Sequence, residues 1–251
     1  LTADYRLMIE EPRRVVDGLR AEMRALGVKR GVIAIEDNKM EAIESMRKAA
    51  AGREGVEIAV LRTKYPQGGE KQLIHAVTGR QVPSGKLPIE VHTIVTNVAT
   101  AAAIADAVID GKPLISRITT VTGKVVNPSN LRVRIGTVVA DMIGECGGYS
   151  EEAAKIVMGG GIVVYNEKDA KSVDEEPCIR CARCVQACPM GLDPYKLKHL
   201  CDAGNLEGAK ANHVMDCILC GCCSYACPSR RWLTAAFKNT KDAIAAAARR
   251  K

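Results

Sequence analysis

Eleven cysteines stand in the 251 residues, and eight of them fall into two runs with one spacing. The first run is Cys178-Ile-Arg-Cys181-Ala-Arg-Cys184-Val-Gln-Ala-Cys188-Pro189, and the second is Cys217-Ile-Leu-Cys220-Gly-Cys222-Cys223-Ser-Tyr-Ala-Cys227-Pro228. Both read C-x2-C-x2-C-x3-C-P, the pattern by which one chain holds two 4Fe–4S clusters. Two intervening residues let successive thiolates converge on one face of an iron–sulfur cube from a tight loop. Three more residues, roughly one helical turn, carry the fourth sulfur away from that face. The proline that follows has no N–H and resists helix on its N-terminal side, so it redirects the chain. In such pairs the fourth cysteine serves the other cluster. One cluster is therefore assigned to Cys178, Cys181, Cys184 and Cys227, and the second to Cys217, Cys220, Cys223 and Cys188. The same thiolates can also be read as two structural zinc sites. Zinc, however, needs only four ligands and gives no reason for two identical runs that each close in Cys-Pro. The chemistry expected is electron transfer.

Three cysteines remain. Cys146 and Cys201 are expected to be plain buried thiols, and so is Cys222, with its side chain turned away from the cube that Cys220 and Cys223 face. No signal peptide accompanies the cysteines, so thiolate ligands rather than disulfides are expected, in a reducing compartment. The formal charge is +7. Two oxidised clusters at about −2 each would leave roughly +3. Basic residues surround the motifs at Arg180, Arg183, Lys196, Lys198, Arg230 and Arg231. They either balance cluster charge on a solvated surface or receive an acidic redox partner or an anionic membrane face. One Trp, one Phe and six Tyr are too few for an aromatic stacking surface, so no nucleic acid is expected as a partner. No apolar run approaches the ~18 residues of a membrane span, so the chain is not expected to cross a bilayer by itself.

The elements that must position these residues start near the first residue. Pro12 to Leu26 has Val15, Val16, Leu19, Met23 and Leu26 at helical spacing, with Pro12 suited to the first turn and Gly27 to the stop. Gly31 to Ile35 reads as a buried strand, Asn38 as the cap of a helix over Lys39 to Ala51, and Val56 to Leu61 as a second strand. Strand–helix–strand at this length is a parallel crossover, hence an α/β domain. Lys64 to Lys71 holds the pair Gly68-Gly69 before a helical run from Gln72 to Thr78. Such a pair either lets backbone N–H groups approach an anionic ligand or is a simple turn. Val91 to Val95 reads as a strand leading through Asn97 into an Ala-rich helix that ends near Ile109. Asn97 can cap that helix or bond a flat polar ring. From Pro113 the pattern is β-like, with a turn at Asn127-Pro128 and one helix from Thr137 to about Glu145, a small α+β domain of β-grasp type. Gly159-Gly160-Gly161 abuts a new strand without turn chemistry of a usual length. Lys168 to Glu176 is a charged connector. Pro194 to His213 is helical, and Leu233 to Lys251 reads as an exposed helix ending in Arg249-Arg250-Lys251, cations suited to a helix C-terminus.

Several stretches carry a resemblance that runs along essentially the whole chain: Leu1-Thr2-Ala3-Asp4-Tyr5-Arg6, Glu36-Asp37-Asn38-Lys39, Tyr65-Pro66-Gln67-Gly68-Gly69-Glu70, Pro83-Ser84-Gly85-Lys86-Leu87-Pro88, Thr96-Asn97-Val98, and Glu176-Pro177-Cys178-Ile179-Arg180-Cys181 with its partner run. Together they resemble the RnfC subunit of the Rnf ion-translocating ferredoxin:NAD oxidoreductase, a family similar to the flavin-bearing, NADH-binding subunit of respiratory complex I. The resemblance implies a partial α/β flavin- and NADH-binding domain over 1–88. A β-grasp-like domain over 89–166, with a preceding flavin-contacting strand, follows it. A helical two-cluster ferredoxin domain over 167–232 and a terminal helix over 233–251 complete the chain. It implies non-covalent FMN and NAD(H) beside two 4Fe–4S clusters, with Tyr65, Gly68, Gly69 and Glu70 where the fold wraps flavin and nicotinamide. Glu70 either orients one of those rings or only faces the helix dipole. Asn97 and Thr100 match the Asn and Thr of the family's Asn-Val-Glu-Thr flavin segment, and Ala99 replaces its Glu. The family's glycine-rich flavin loop, with an amino-terminal domain before it, is expected ahead of Leu1. A longer glycine and methionine segment is expected where Gly160 meets Gly161.

The function implied is passage of electrons between NAD(H), FMN and the two clusters. The implied setting is peripheral, on the cytoplasmic face of the cell membrane, with the other Rnf subunits as partners and ferredoxin as donor through the complex. Two alternatives stand beside it. One is a corrinoid reductase with the same cofactors. The other is a non-enzymatic iron–sulfur relay subunit without a working flavin site.

Overall fold

A computed structural model describes residues 1–171 and 174–249. Arg250 and Lys251 of the expected terminal cations, and Ser172 and Val173 of the connector, lie outside the described residues. In chain order the elements are α1 (Ala3–Glu10), α2 (Pro12–Leu26), β1 (Gly31–Glu36), α3 (Met40–Ala50), β2 (Val56–Leu61), α4 (Glu70–Thr78), α5 (Val98–Asp110), β3 (Ser116–Gly123), β4 (Ser129–Arg134), α6 (Val139–Glu145), β5 (Lys155–Met158) and β6 (Gly161–Tyr165). Then come α7 (Glu167–Ala170), α8 (Arg183–Gln186), α9 (Pro194–Asp202), α10 (Leu206–Ala211), α11 (Cys222–Tyr225) and α12 (Leu233–Arg249). They form two compact units. One is Leu1–Lys64 with Val95–Lys171. The other is Tyr65–Ile94 with the described part of Ser172–Lys251.

In the first unit β1 and β2 pair in parallel, Gly31 opposite Val56 through Glu36 opposite Leu61, with α3 as the crossover. The alternating burial of β1 turns Ile33 and Ile35 into a core with Val15, Val16, Ile43 and Met46. Pro12 opens α2 and Gly27 closes it in the left-handed conformation, where a side chain would be strained. Helix α2 lies against α5 so closely that a Cβ on Gly18 would stand 1.7 Å from the Ala101 carbonyl oxygen. The cap of α3 differs from expectation. The helix starts at Met40 with Lys39 in the cap position and no side-chain cap bond, because a turn from Lys39 N–H to Glu36 O pulls the start one residue past Asn38.

The remaining sheet of this unit has the order β4-β3-β6-β5. The outer pairs are antiparallel and the central β3–β6 pair parallel, and α6 lies between the two hairpins in sequence. Its core holds Val121, Val125, Met142, Ile143, Ile162 and Val164 with the fully buried thiol of Cys146. Gly159 and Gly161 bond across the tip of the β5–β6 hairpin, with Gly160 at the apex. The glycines that lacked recognisable turn chemistry are thus a tight hairpin end. Thr120, buried in β3, accepts the N–H groups of Thr2 and Ala3 at 3.1 Å each and donates to Asn130 at 2.7 Å, tying α1 to this sheet.

In the second unit α9, α10 and α12 enclose Leu197, Ala209, Val214, Leu233 and Phe237. The terminal helix is therefore not simply exposed. Its first half is core, since Leu233, Phe237 and Thr240 recur on one face at three- and four-residue intervals. The expected strand at Val91–Val95 is absent. Pro88–Val91 is a 3-10 turn, His92 is left-handed at φ 52°, and the Arg80 guanidinium takes the Val91 carbonyl at 2.9 Å, an acceptor a ladder would need. No helix among the described residues is long and apolar enough to cross a membrane.

Candidate metal centre

The two cysteine runs fold as near copies. Arg180 and Leu219, each just before the second cysteine, are left-handed at φ 55° and 56°. Ala182 and Gly221, each just after it, are left-handed at 59° and 81° and open the four-residue helices α8 and α11. Gly191 and Arg230, three residues beyond the fourth cysteines, repeat the match at 65° and 52°. A non-glycine residue in this region costs about 1–2 kcal/mol. Its recurrence at matched positions means the loops are held that way by what they do. The turns aim N–H groups at sulfur: Arg180 N–H donates to Cys178 Sγ at 3.4 Å, and Leu219 N–H does the same for Cys217. Val185 and Ser224 N–H groups serve Cys184 and Cys223.

The thiols group across the motifs. Cys188, Cys217, Cys220 and Cys223 line one cavity together with Met190, Leu192, Thr234 and Phe237. Cys184 has Cys178 and Cys227 as its charged neighbours, while Cys217 and Cys223 both have Cys188. Cys181 stands exposed at the outer end of its loop. Burial is the main influence on the thiols it encloses. It raises Cys184 and Cys217, and pushes Cys223 up to about 11. Opposing it, Thr234 Oγ1 lies 3.9 Å from Cys223 Sγ and Lys241 is beside Cys217, where its Nζ holds the Cys217 carbonyl at 2.5 Å. Both favour thiolate, the form that ligates metal. Four sulfurs on one zinc would sit about 3.8 Å apart at 2.3 Å bonds. Among the described residues no three His, Cys, Asp or Glu side chains converge to hold a single ion. Thiols drawn from both runs around one cavity suit a cluster.

Cys222 departs from expectation. Its thiol hydrogen-bonds Cys220 and lies near Cys188, rather than pointing away. It is the first residue of α11, and helical side chains lean back toward the N-terminus. Cys201 packs partly buried against the helical core. An ion network fixes the entry to this unit: Lys198 reaches Asp202 at 2.6 Å and Glu175 at 3.7 Å, and Arg231 reaches Asp202 at 3.2 Å and Glu175 at 3.7 Å.

Tyr65, Gly68, Gly69 and Glu70 belong to the same unit as the cysteines. Tyr65 is 73 % exposed, and its phenol donates to the Cys220 carbonyl at 2.9 Å. A Cβ on Gly68 would meet nothing within 4 Å, whereas one on Gly69 would press the Gln72 amide at 2.9 Å. Glu70 is the exposed first residue of α4, at the helix start. Gln72, which no local pattern singles out, donates from Nε2 to Met190 Sδ at 2.8 Å and leaves Oε1 buried without a partner. Asn97 and Thr100 lie in the other unit. Asn97 caps α5, accepting from Ala99 N–H at 2.8 Å, and donates to Asp4 at 2.8 Å. Thr100 Oγ1 accepts from Arg117 at 2.9 Å.

Comparison with known proteins divides the chain in three. Residues 1–106 match the Nuo51 FMN-binding domain, 118–165 the SLBB domain and 170–228 the 4Fe-4S dicluster domain. The chain is 44% identical over 233 residues to a subunit of the proton-translocating ferredoxin:NAD(+) oxidoreductase complex of Clostridium ljungdahlii, covering 85% of this chain and 51% of that protein. It is 40% identical to the counterpart from the Na(+)-translocating complex of Acetobacterium woodii, covering 86% and 53%. It is 41% identical to the counterpart from the ion-translocating oxidoreductase complex of Rhodobacter capsulatus, covering 83% and 44%. The chain thus spans about half the length of these curated relatives. An NAD+-reducing [NiFe]-hydrogenase chain shares the fold at TM-score 0.54 and 20% identity, over 67% of this chain and 34% of that one.

Proposed function

Since the chain belongs to the RnfC family of ion-translocating ferredoxin:NAD oxidoreductase subunits, we propose that it is the electron-transfer subunit of such a membrane-associated complex. It works with FMN, NAD(H) and two 4Fe–4S clusters. When bound, FMN exchanges two electrons with nicotinamide as hydride and the clusters exchange one each, so the cofactors supply the chemistry. The observation that carries this reading is the shared cavity of Cys188, Cys217, Cys220 and Cys223. It supports crossed ligation, with Cys178, Cys181, Cys184 and Cys227 holding the other cluster.

The chain's own contributions follow from the site. N–H groups of Arg180, Val185, Leu219 and Ser224 stabilise thiolate sulfur, and Lys241 adds positive charge beside Cys217. Such groups favour the more reduced, more negative state of the cluster they face and raise its potential. The exposed ring of Tyr65 offers an aromatic face to a flat cofactor ring. The open space above Gly68 lets a ligand come close to backbone. Asn97 and Thr100 at the start of α5 are proposed flavin contacts, and the sheet β4-β3-β6-β5 a ligand-binding β-grasp domain. Placement is peripheral on the cytoplasmic face, with the remaining subunits anchoring the complex and ferredoxin as the donor through it. The names of the matched relatives, all belonging to such complexes, favour this over a corrinoid reductase.

The test is purification of the full-length protein from membranes. About eight irons, bound FMN and copurifying membrane subunits are expected. Protein that keeps both clusters yet binds neither FMN nor NADH would reduce the reading to a relay. In Asn97→Ser the cap acceptor is kept, so stability should hold while FMN is lost more readily. Unchanged FMN retention removes Asn97 from the site.

A further inference from the structure

Three side-chain hydrogen bonds leave the stretch between Tyr65 and Ser84 for the cysteine-bearing part of the second unit, and all three arrive at one thiol set. Tyr65 Oη donates to the carbonyl of Cys220 at 2.9 Å. Gln72 Nε2 reaches Sδ of Met190, two residues past Cys188, at 2.8 Å. Ser84 Oγ meets both oxygens of Asp216, the residue before Cys217, at 2.8 and 2.7 Å. Cys220 and Met190 both line the cavity shared by Cys188, Cys217 and Cys223. Among the described residues, no side-chain hydrogen bond from this stretch reaches the Cys178–Cys184 loop, where Cys181 is exposed.

We propose that Tyr65, Gln72 and Ser84 form a latch that couples the cofactor-binding stretch to the Cys188/Cys217/Cys220/Cys223 cluster and not to the other. That makes this the inner cluster, on the flavin side. The inference rests on the functional reading above, in which Tyr65 to Glu70 contact flavin and nicotinamide. The physical reason is twofold. Electron transfer falls steeply with distance, and the residues hydrogen-bonded to the stretch belong to or adjoin this ligand set. A hydrogen bond from the phenol to the Cys220 carbonyl also polarises the ligand-bearing peptide, so a change at Tyr65 is felt at that cluster's sulfur. Tyr65 is thus a positioning residue. Its ring can meet the cofactor while its hydroxyl holds the ligand loop, and its 73 % exposure leaves the ring free to do so.

The test uses full-length protein, anaerobically reconstituted and reduced with dithionite, with the two clusters told apart by EPR. Cys217→Ser identifies the signal of one cluster and Cys181→Ser that of the other. Adding NAD+ to FMN-loaded protein should perturb the Cys217-dependent signal and leave the Cys181-dependent one unchanged. Tyr65→Phe, which removes only the hydroxyl, should shift the midpoint potential of the Cys217-dependent cluster alone, and Gln72→Glu provides a second probe of the same latch. Perturbation of the Cys181-dependent cluster, or of both equally, overturns the proposal, and so does a Tyr65→Phe protein with both potentials unchanged. If the protein binds no FMN, the functional reading fails and the flavin-side assignment fails with it. The dithionite-reduced Tyr65→Phe spectrum would still show whether the latch acts on that cluster.

Discussion

Cys188 and Cys217 face one cavity, although the first closes one cysteine run and the second opens the other. Left-handed residues flank the second cysteine of each run, and each fourth cysteine has neighbours in the other run: Cys188 lines the cavity of Cys217, Cys220 and Cys223, and Cys227 lies near Cys184. On the proposed crossed ligation, each run would be incomplete without its partner.

Crossed pairing gives Cys188→Ser a distinctive outcome. The variant should lose the cluster of Cys217, Cys220 and Cys223, dropping iron from about eight to about four per chain. Cys227→Ser should remove the other one. Iron analysis with EPR decides it, and loss of the Cys178-side signal in Cys188→Ser would refute crossing.

Burial of Cys223, only 7 % exposed, raises its thiol from 9.0 to about 11. In cluster-free protein the folded state keeps this proton while the unfolded chain gives it up. The group's contribution to stability is therefore fully present below pH 9.0 and is lost as pH climbs through about 11. The loss should reach at most about 3 kcal/mol, read as a falling urea midpoint across that window. Cys223→Ala should flatten the profile, and a midpoint that rises instead contradicts the assignment. Loading runs the other way: thiols must deprotonate to ligate, so cluster insertion should improve with rising pH.

Two glycines in helices separate packing from propensity. At Gly18 an added Cβ would sit 1.7 Å from the Ala101 carbonyl oxygen, so Gly18→Ala should force α2 off α5 and cost about 3 kcal/mol or more. At Gly144 a Cβ meets nothing within 4 Å, so Gly144→Ala should gain about 0.5–1 kcal/mol. Anaerobic denaturant melts of both variants test the contrast, which fails if the two shifts share a sign.

Lys198 sits between Glu175 and Asp202 with its side chain only 11% exposed, while the two carboxylates are 29% and 45% exposed. Lys198→Met keeps the buried stem but removes the charge. Because both carboxylates retain Arg231 and some solvent, the cost should be moderate, about 1–2 kcal/mol. The chain around Glu175 should then become more accessible to protease. An unchanged cleavage rate would mean the network does not hold the connector.

Much of the architecture was legible from local patterns. Pro12 and Gly27 bracket α2 as expected, Val56–Leu61 pairs with β1 in parallel, and the β-like stretch from Ile118 to Gly123 falls within a strand. The failures share one cause. Val91–Val95 carries the composition of a strand, but Arg80 claims its carbonyl and Pro88 curls its start, contacts that composition does not encode. The face of α12 that carries Leu233 and Phe237 reads locally as part of an exposed tail, yet α9 packs against it.

The candidate site divides along the same line. The candidate ligands are legible in the sequence, because thiolate spacing along a tight loop is a local geometric requirement. Which thiols share a cavity, how deeply Cys223 is buried, and that Tyr65, Gln72 and Ser84 reach Cys220, Met190 and Asp216 were decided only by tertiary structure. The three hydrogen bonds join residues more than a hundred positions apart, and desolvation and hydrogen-bond partnership exist only once the chain has closed on itself.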